Sequence, residues 1–456
     1  MRTSELIASL DFDAAGAAMY DLVTELYPIC RSITGDGFRA TLTRLARDIA
    51  LTRHEVPTGT AVFDWTVPRE WNITDAWVKD TAGERVIDFR RSNLHVLQYS
   101  VPVRRTVSLD ELKQHLHSLP EHPGWIPYRS SYYDEQWGFC VEHERLAHLR
   151  EPAYEVCIDA RLEDGSLTYG EYAIAGDSAD EFLLSCHACH PSLCNDNLSG
   201  VALAAQLAQL LAPLELRYSY RFLFIPGTIG SIAWLSRNEE CARRIRHGLV
   251  VACVGDAGKF HYKRSRRGAE IDRAVEHVLR HSGADHAVRE FSPYGYDERQ
   301  YCSPGFDLPV GSLTRTPNGC FPEYHTSADD LGFVAPRWLA ESLRCYLQVI
   351  DLVESNRRYA STNPKCEPQL GKRGLYRAIG GPPHHDRIES ALLWVLNLSD
   401  RQHTLLEIAD RADLDFATVR RAAELLCAHG LLEPIVEPDP TTTRSAAAES
   451  NDTGGG

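Results

Sequence analysis

Residues 182–212 read FLLSCHACHPSLCNDNLSGVALAAQLAQLLA, and the fold is decided by how this stretch is parsed. FLLSC is an unbroken apolar run of strand length, and LSGVALAAQLAQLLA is a strongly apolar helix. A polar loop joins them. The same alternation continues downstream. YRFLFIP (220–226) is a strand and IGSIAWLSRNEE (229–240) a helix. GLVVACVGD (248–256) is a strand, EIDRAVEHVLRHSG (270–283) a helix and LPVGSLT (308–314) a strand, and a last helix follows from Trp338. Upstream, AYEVCIDARL (153–162) and EYAIAG (171–176) read as strands. Continuous apolar strands alternating with helices predict an α/β fold: a three-layer α/β/α sandwich around a mixed, mainly parallel sheet.

The loop raises its own question, because Cys186, Cys189 and His190 spell C-x-x-C-H, the attachment signature of a c-type haem. That chemistry needs an exported, oxidising setting. The first twenty residues carry three acids and no apolar run of signal length, and Met1 and Met19 are the only methionines available as an axial ligand. A zinc ribbon would need a second C-x-x-C. Thirteen cysteines, an odd number, exclude a complete disulfide framework and leave reduced thiols as the expectation. Hydrophobic and charged contents of 43% and 24% are those of a globular protein, and no window approaches a membrane span. A cytoplasmic location and no membrane partner are expected. The net charge of −15 argues against nucleic acid.

Outward from this core, residues 1–59 are expected to be a helical part of the same domain, with Met19, Leu22, Val23 and Leu26 at helical spacing. Residues 60–165 change to short alternating runs and turns, a β-rich insertion holding five of the eight tryptophans. The main α/β domain is expected over 166–370, a linker over 371–384, a winged helix over 385–436 and a disordered tail over 437–456. From Asp386 to Val436 the last module carries nine acids against five arginines, so packing or self-association into a homo-oligomer is its expected use rather than DNA binding.

In such sheets functional groups gather at the carboxyl ends of strands. His190 follows FLLSC, Asp196 lies at the threshold of the apolar helix, Asp256 ends GLVVACVGD, and His325 follows LPVGSLT in FPEYHTSADD. Two imidazoles and two carboxylates there suit a zinc ion, which takes nitrogen and oxygen ligands at about 2.0–2.2 Å. Taken singly, each has a plainer reading: a loop histidine, a helix cap, a turn aspartate.

The runs HPSLCNDNLSG (190–200), YRFLFIPGTIGS (220–231), GLVVACVGD, YDERQYCSPGFDLPVGS (296–312) and EYHTSADD (323–330) together resemble the bacterial zinc aminopeptidase family. The fit is closest to its aminopeptidase-like branch found near polysaccharide and natural-product biosynthesis genes. That branch carries a β-rich insertion and a C-terminal winged helix. VFDWTVPREWNI (62–73), SNLHVLQYSVPV (92–103) and GWIPYRSSYYDEQWGFC (124–140) look like that insertion, and the resemblance covers about 14–436. It implies zinc, one ion or two, held by His190, Asp196 and His325, with Asp196 bridging and Asp256 serving a second metal. It implies that Asp297 is a catalytic residue, that Asp329 steadies His325, and that the Asp196–Asn197 peptide is cis. The three cysteines of the loop are not ligands in this reading.

Two positions depart from the family. Relatives carry a glutamate in a P-E-T-I-G-S run, where this chain has Gly227, and Ser192 stands where the wider family often has an aspartate that orients the first histidine. A positioned base contributes roughly 10²–10⁴ in rate. Glu298 is the preferred substitute, with Glu323 as the alternative; Glu323 and Tyr324 are also the candidate substrate contacts. The expected function is zinc-dependent hydrolysis of an amide bond in a small peptide-like substrate. The competing expectation is a catalytically impaired metal-binding interaction or scaffold protein on the same fold.

Overall fold

The 182–187 run is the third strand, in chain order, of an eight-stranded sheet in a computed structural model that describes residues 1–375 and 387–435. Most of the expected linker and all of the expected tail lie outside the described residues. The chain divides into two units, Met1–Glu354 and Ser355–Gly456.

In the first unit the sheet comprises β1 (Thr52–Pro57), β2 (Ser166–Ile174), β3 (Glu181–His187), β4 (Ser219–Ile225), β5 (Ile245–Val251), β6 (Phe260–Lys263), β7 (His286–Arg289) and β8 (Val310–Thr314). Its order is β1-β2-β4-β3-β5-β8-β6-β7. The central strands β4, β3, β5 and β8 run parallel; β1 pairs antiparallel with β2, β2 with β4 and β6 with β8, and the edge strand β7 runs parallel to β6. Every residue of β3 is buried, which is why its sequence does not alternate. The helix α1 (Gly200–Leu211) follows it and buries Val201, Leu203, Ala204, Leu207, Ala208 and Leu211. Each such leucine contributes about 1.5–3 kcal/mol. With α2 (Ile229–Arg237), α3 (Glu270–His281) and α4 (Pro336–Ser355), the fold is the expected three-layer α/β/α sandwich.

The connection leaves β3 for β4 on one side, and the next crosses back to β5 on the other. Strand order therefore reverses at β3, and a crevice opens at the carboxyl ends of β3 and β5.

The strand Ala153–Glu163, read above as the start of the alternating run, instead pairs antiparallel with Glu70–Lys79 and Val103–Ser108. Arg85–Asp88 completes that four-stranded sheet. Trp71 and Trp77 are buried in this part of the chain, as core-filling residues should be; Trp65 is 48% exposed. One segment of the β-rich region reaches the α/β crevice. Pro127 bridges to Thr326, and Tyr128 N–H donates to the His325 carbonyl at 2.7 Å. Ile126 and Ser327 exchange two further bonds at 3.0 and 2.8 Å. On its other side, Gln98 N–H donates to the Arg129 carbonyl at 3.0 Å.

In the second unit, Arg358–Ser361 pairs with Asp400–Thr404 and Leu432–Pro434, so the strand set begins ahead of the expected linker. Helices Arg387–Leu398, Leu405–Ala412 and Phe416–Ala428 complete a winged-helix module.

Candidate metal centre

Asp196 is fully buried, and three imidazoles converge on its carboxylate. His187 Nε2 lies 2.8 Å from Oδ1. His190 Nδ1 lies 3.4 Å and His325 Nε2 3.1 Å from Oδ2. Burial alone would push this carboxyl up, but His190, His187 and His325 together outweigh it and hold the group well below the usual carboxylate range. Four donors around a zinc bonded at about 2.1 Å would stand about 3.4 Å apart. The separations from the Asp196 carboxylate run from 2.8 to 3.4 Å. His187, His190 and Asp196 offer ligand atoms that all lie within 4.8 Å of one another, two nitrogens and a carboxylate oxygen of zinc-type chemistry, with His325 meeting the same carboxylate. The residues fit the ion.

The loop that presents Asp196 alternates its allegiance. Asn197 donates to the His187 and Val251 carbonyls, both at 3.0 Å, and accepts from Cys253 N–H at 3.1 Å, tying the ends of β3 and β5 together. Asn195 accepts from Gly255 N–H at 2.9 Å. Asp196, between them, is thereby turned the other way, toward the histidines; its peptide with Asn197 is cis. Arg31, buried, donates to the His190 carbonyl at 2.8 Å and the Leu26 carbonyl at 2.6 Å, and burial brings its guanidinium down to about 10. Cys186 and Cys189 are buried neutral thiols, the latter pushed up to about 12 by burial, and neither joins the cluster.

His187 was not among the expected ligands. It ends β3, three residues ahead of His190, and strand-end logic extended to the last residue of each apolar strand finds it beside His190.

Asp256 corrects the expectation in the opposite direction. The strand β5 ends at Val251, five residues earlier, and Cys253 turns the chain at φ 50°. Asp256 accepts from Asn195 Nδ2 at 2.9 Å, Gly258 N at 2.6 Å, Thr316 N at 3.2 Å and Thr316 Oγ1 at 2.6 Å. Those four donors match the roughly four lone-pair sites of a carboxylate, and Asp256 is not among the His187, His190 and Asp196 group.

Glu298 likewise lies outside the cluster. It is buried, 2.6 Å from Lys263 Nζ, and accepts from the Tyr296 N–H at 3.1 and 3.2 Å. It clamps the Tyr296 loop. Asp297 accepts from Ser231 Oγ at 2.8 Å, its other oxygen is buried without a partner, and burial raises its carboxyl to about 7. Ser192 is bonded to the Tyr27 carbonyl at 2.7 Å and to Asn93 at 2.8 Å, not to His190. Asp329 accepts from the backbone of Asn195 at 2.6 Å and Asp196 at 2.9 Å, so it steadies the Asp196 loop rather than His325. Tyr324 stacks on His325 at 3.9 Å. Glu323 is half-buried, and its carbonyl accepts from Thr326.

The missing glutamate has a steric explanation. A Cβ at Gly227 would lie 2.1 Å from Tyr296 Cε1. The Tyr296 ring fills the space, packing on His187 at 4.0 Å, with its hydroxyl 3.4 Å from His190 Nε2. Tyr128 packs edge-on against both His190 and His325, at 5.2 and 5.0 Å. His190, His325, Tyr128, Tyr296 and Gly227 line one cavity of about 380 Å³.

The chain is similar to known proteins in sequence and fold. The sequence profile of a family described as a domain of unknown function (DUF4910) matches residues 20–356, and a winged helix-turn-helix profile matches 357–434. A Clostridium acetobutylicum protein, provisionally named for polysaccharide biosynthesis with an aminopeptidase-like domain, is 54% identical over 90% of this chain and 95% of its own. A crystal structure from the same organism, of a protein provisionally named a peptidase, has a TM-score of 0.90 at 51% identity, covering 95% of this chain and 100% of that one. The zinc aminopeptidase of Bacillus subtilis has a TM-score of 0.54 at 11% identity, over 74% of this chain and 94% of that one. A Shewanella amazonensis peptidase M28 precursor has 0.56 at 12%, over 77% and 96%. At those identities the last two show the peptidase fold.

Proposed function

The chain belongs to the DUF4910 family, and we propose that it is a zinc-dependent hydrolase of an amide bond in a small peptide-like substrate. The observation that carries the reading is the convergence of His187, His190 and His325 on the Asp196 carboxylate, at the carboxyl ends of parallel strands and open to a cavity. Zinc held there would polarise an amide carbonyl and bring the pKa of water toward 7. The protein's own contribution is placement. Asn195, Asn197 and Asp329 fix the Asp196 loop, and the Tyr128 and Tyr296 rings wall the histidines. Among the described residues no carboxylate lines the cavity in place of the glutamate that the aminopeptidase resemblance implies, so turnover slower by roughly 10²–10⁴ is the expectation.

The same absence favours a second reading, a metal-binding interaction protein without turnover. Purified protein titrated with zinc and assayed with peptide and acylated amino acid anilides separates the two. Zinc-dependent product formation abolished by Asp196→Asn supports the hydrolase. Zinc binding with ligand-induced melting shifts and no product supports the second reading.

A further inference from the structure

The cavity beside the histidines has an unusual charge pattern for an exopeptidase that grips a free amino terminus. Its lining contains no aspartate or glutamate, and its one fixed charge is Arg129. An ammonium group entering it would find no carboxylate partner. We infer that the substrate is an amide bearing an anionic group, a carboxylate or phosphate, which Arg129 receives while the substrate's body lies against Trp65, Tyr132 and Tyr133. This names the substrate class for the hydrolytic site proposed above and rests on that reading for the chemistry, but not for the binding.

Three observations support it. Arg129 is exposed and lines the cavity, and among the described residues its guanidinium has no ion-pair partner. Its backbone is fixed: it follows Tyr128, whose N–H is bonded to the His325 carbonyl, and its own carbonyl is bonded to Gln98. The cation is therefore delivered one residue away from a ring that touches both His190 and His325. The facing wall is aromatic and partly open. Trp65, on the hairpin Ala61–Thr66, and Tyr133 are 48% and 51% exposed and lie 5.8 Å apart. Tyr132 is held by its hydroxyl, 2.9 Å from that of Tyr128. Exposed aromatics beside a planar, unpaired guanidinium suit a flat or ring-bearing body with an anion at one end. With a net charge of −15 the protein as a whole repels anions, so this attraction is local and its loss should follow a single residue.

The test is calorimetric titration of the full zinc-loaded chain with four small probes of similar size: 3-phenylpropionate, phenethyl phosphate, 3-phenylpropanol and 3-phenylpropylamine. The expected result is that at least one anion binds about tenfold or more tighter than the alcohol and the amine, and that Arg129→Gln erases the margin at unchanged zinc content and melting temperature. The tighter of the two anions identifies the group. The inference is overturned if the amine matches or exceeds the anions, if no probe binds, or if the margin survives Arg129→Gln, which would place the anion on the metal instead. A margin that Arg129→Gln removes, together with no amide hydrolysis, would sink the hydrolase reading and leave this one standing. Hydrolysis of cationic aminoacyl amides without an anion preference would do the reverse.

Discussion

At the scale of single residues, the centre separates ligands from props, and the two kinds should fail differently. His187→Ala removes a donor 2.8 Å from Asp196 and is expected to weaken zinc binding by at least about 100-fold, read by competition with a chromophoric chelator. Asp256→Ala removes a carboxylate bonded to four protein donors; zinc stoichiometry should persist while stability falls by about 3 kcal/mol in urea denaturation. Equal losses of zinc in both variants would reinstate Asp256 as a ligand. Gly227→Glu alone should not restore a base, because Tyr296 occupies the space. Combined with Tyr296→Ala, it is expected to raise amide hydrolysis by roughly 10²–10⁴ over the Tyr296→Ala parent. Asp297 supplies a pH signature. Its carboxyl is raised from the usual range to about 7 by burial, so the folded state holds a proton that the unfolded state releases near pH 4. That stability is complete below about pH 4 and is lost as pH rises toward 7, at up to about 1.4 kcal/mol per unit. Asp297→Asn should flatten that slope in zinc-free protein; an unchanged slope would show that Asp297 ionises freely.

At the scale of elements, the sequence was most legible where burial is two-sided. β3, β4 and α1 were read from apolar runs because every covered position must be apolar. Strand-end logic then found His190, Asp196 and His325, since each follows such a run. It misplaced Asp256 relative to the strand, because GLVVACVGD is apolar past the point where β5 stops, and hydrophobicity does not register the turn at Cys253. Ala153–Glu163 is a strand as read, but its own composition does not say which sheet it joins; it pairs with residues 70–79 and 103–108, inside the β-rich insertion. Glu298 sits apart from the cluster for a related reason. A glutamate beside a site residue has the right chemistry, but Lys263, 35 positions earlier, takes its carboxylate. Lys263→Met would leave that buried carboxylate uncompensated, and a loss of about 3–5 kcal/mol is expected by thermal denaturation, larger than for a surface pair. A change within 1 kcal/mol would show that Glu298 is solvated rather than clamped.

At the scale of the whole molecule, the metal centre draws every ligand from the first unit, so residues 1–354 expressed alone are expected to bind zinc with the stoichiometry of the full chain. From Asp386 to Val436 the chain carries nine acids and five arginines, and on that balance no salt-dependent shift of duplex DNA is expected, although the matched module at 357–434 as a whole carries ten acids and eleven lysines and arginines. A shift that weakens steeply with added salt would overturn that expectation. What the sequence by itself determined was the layered α/β class, the loop carrying His190 and Asp196, and the absence of a glutamate at 227, because apolar periodicity and local motifs are properties of neighbours along the chain. Only the tertiary structure decided that His187 joins the cluster, that Asp256 and Glu298 are spent on protein donors, and that a tyrosine 69 positions away fills the space beside Gly227. Those outcomes depend on which groups meet across folded distances, where a hydrogen bond or a van der Waals overlap at 2–3 Å outweighs anything that residue type alone prescribes.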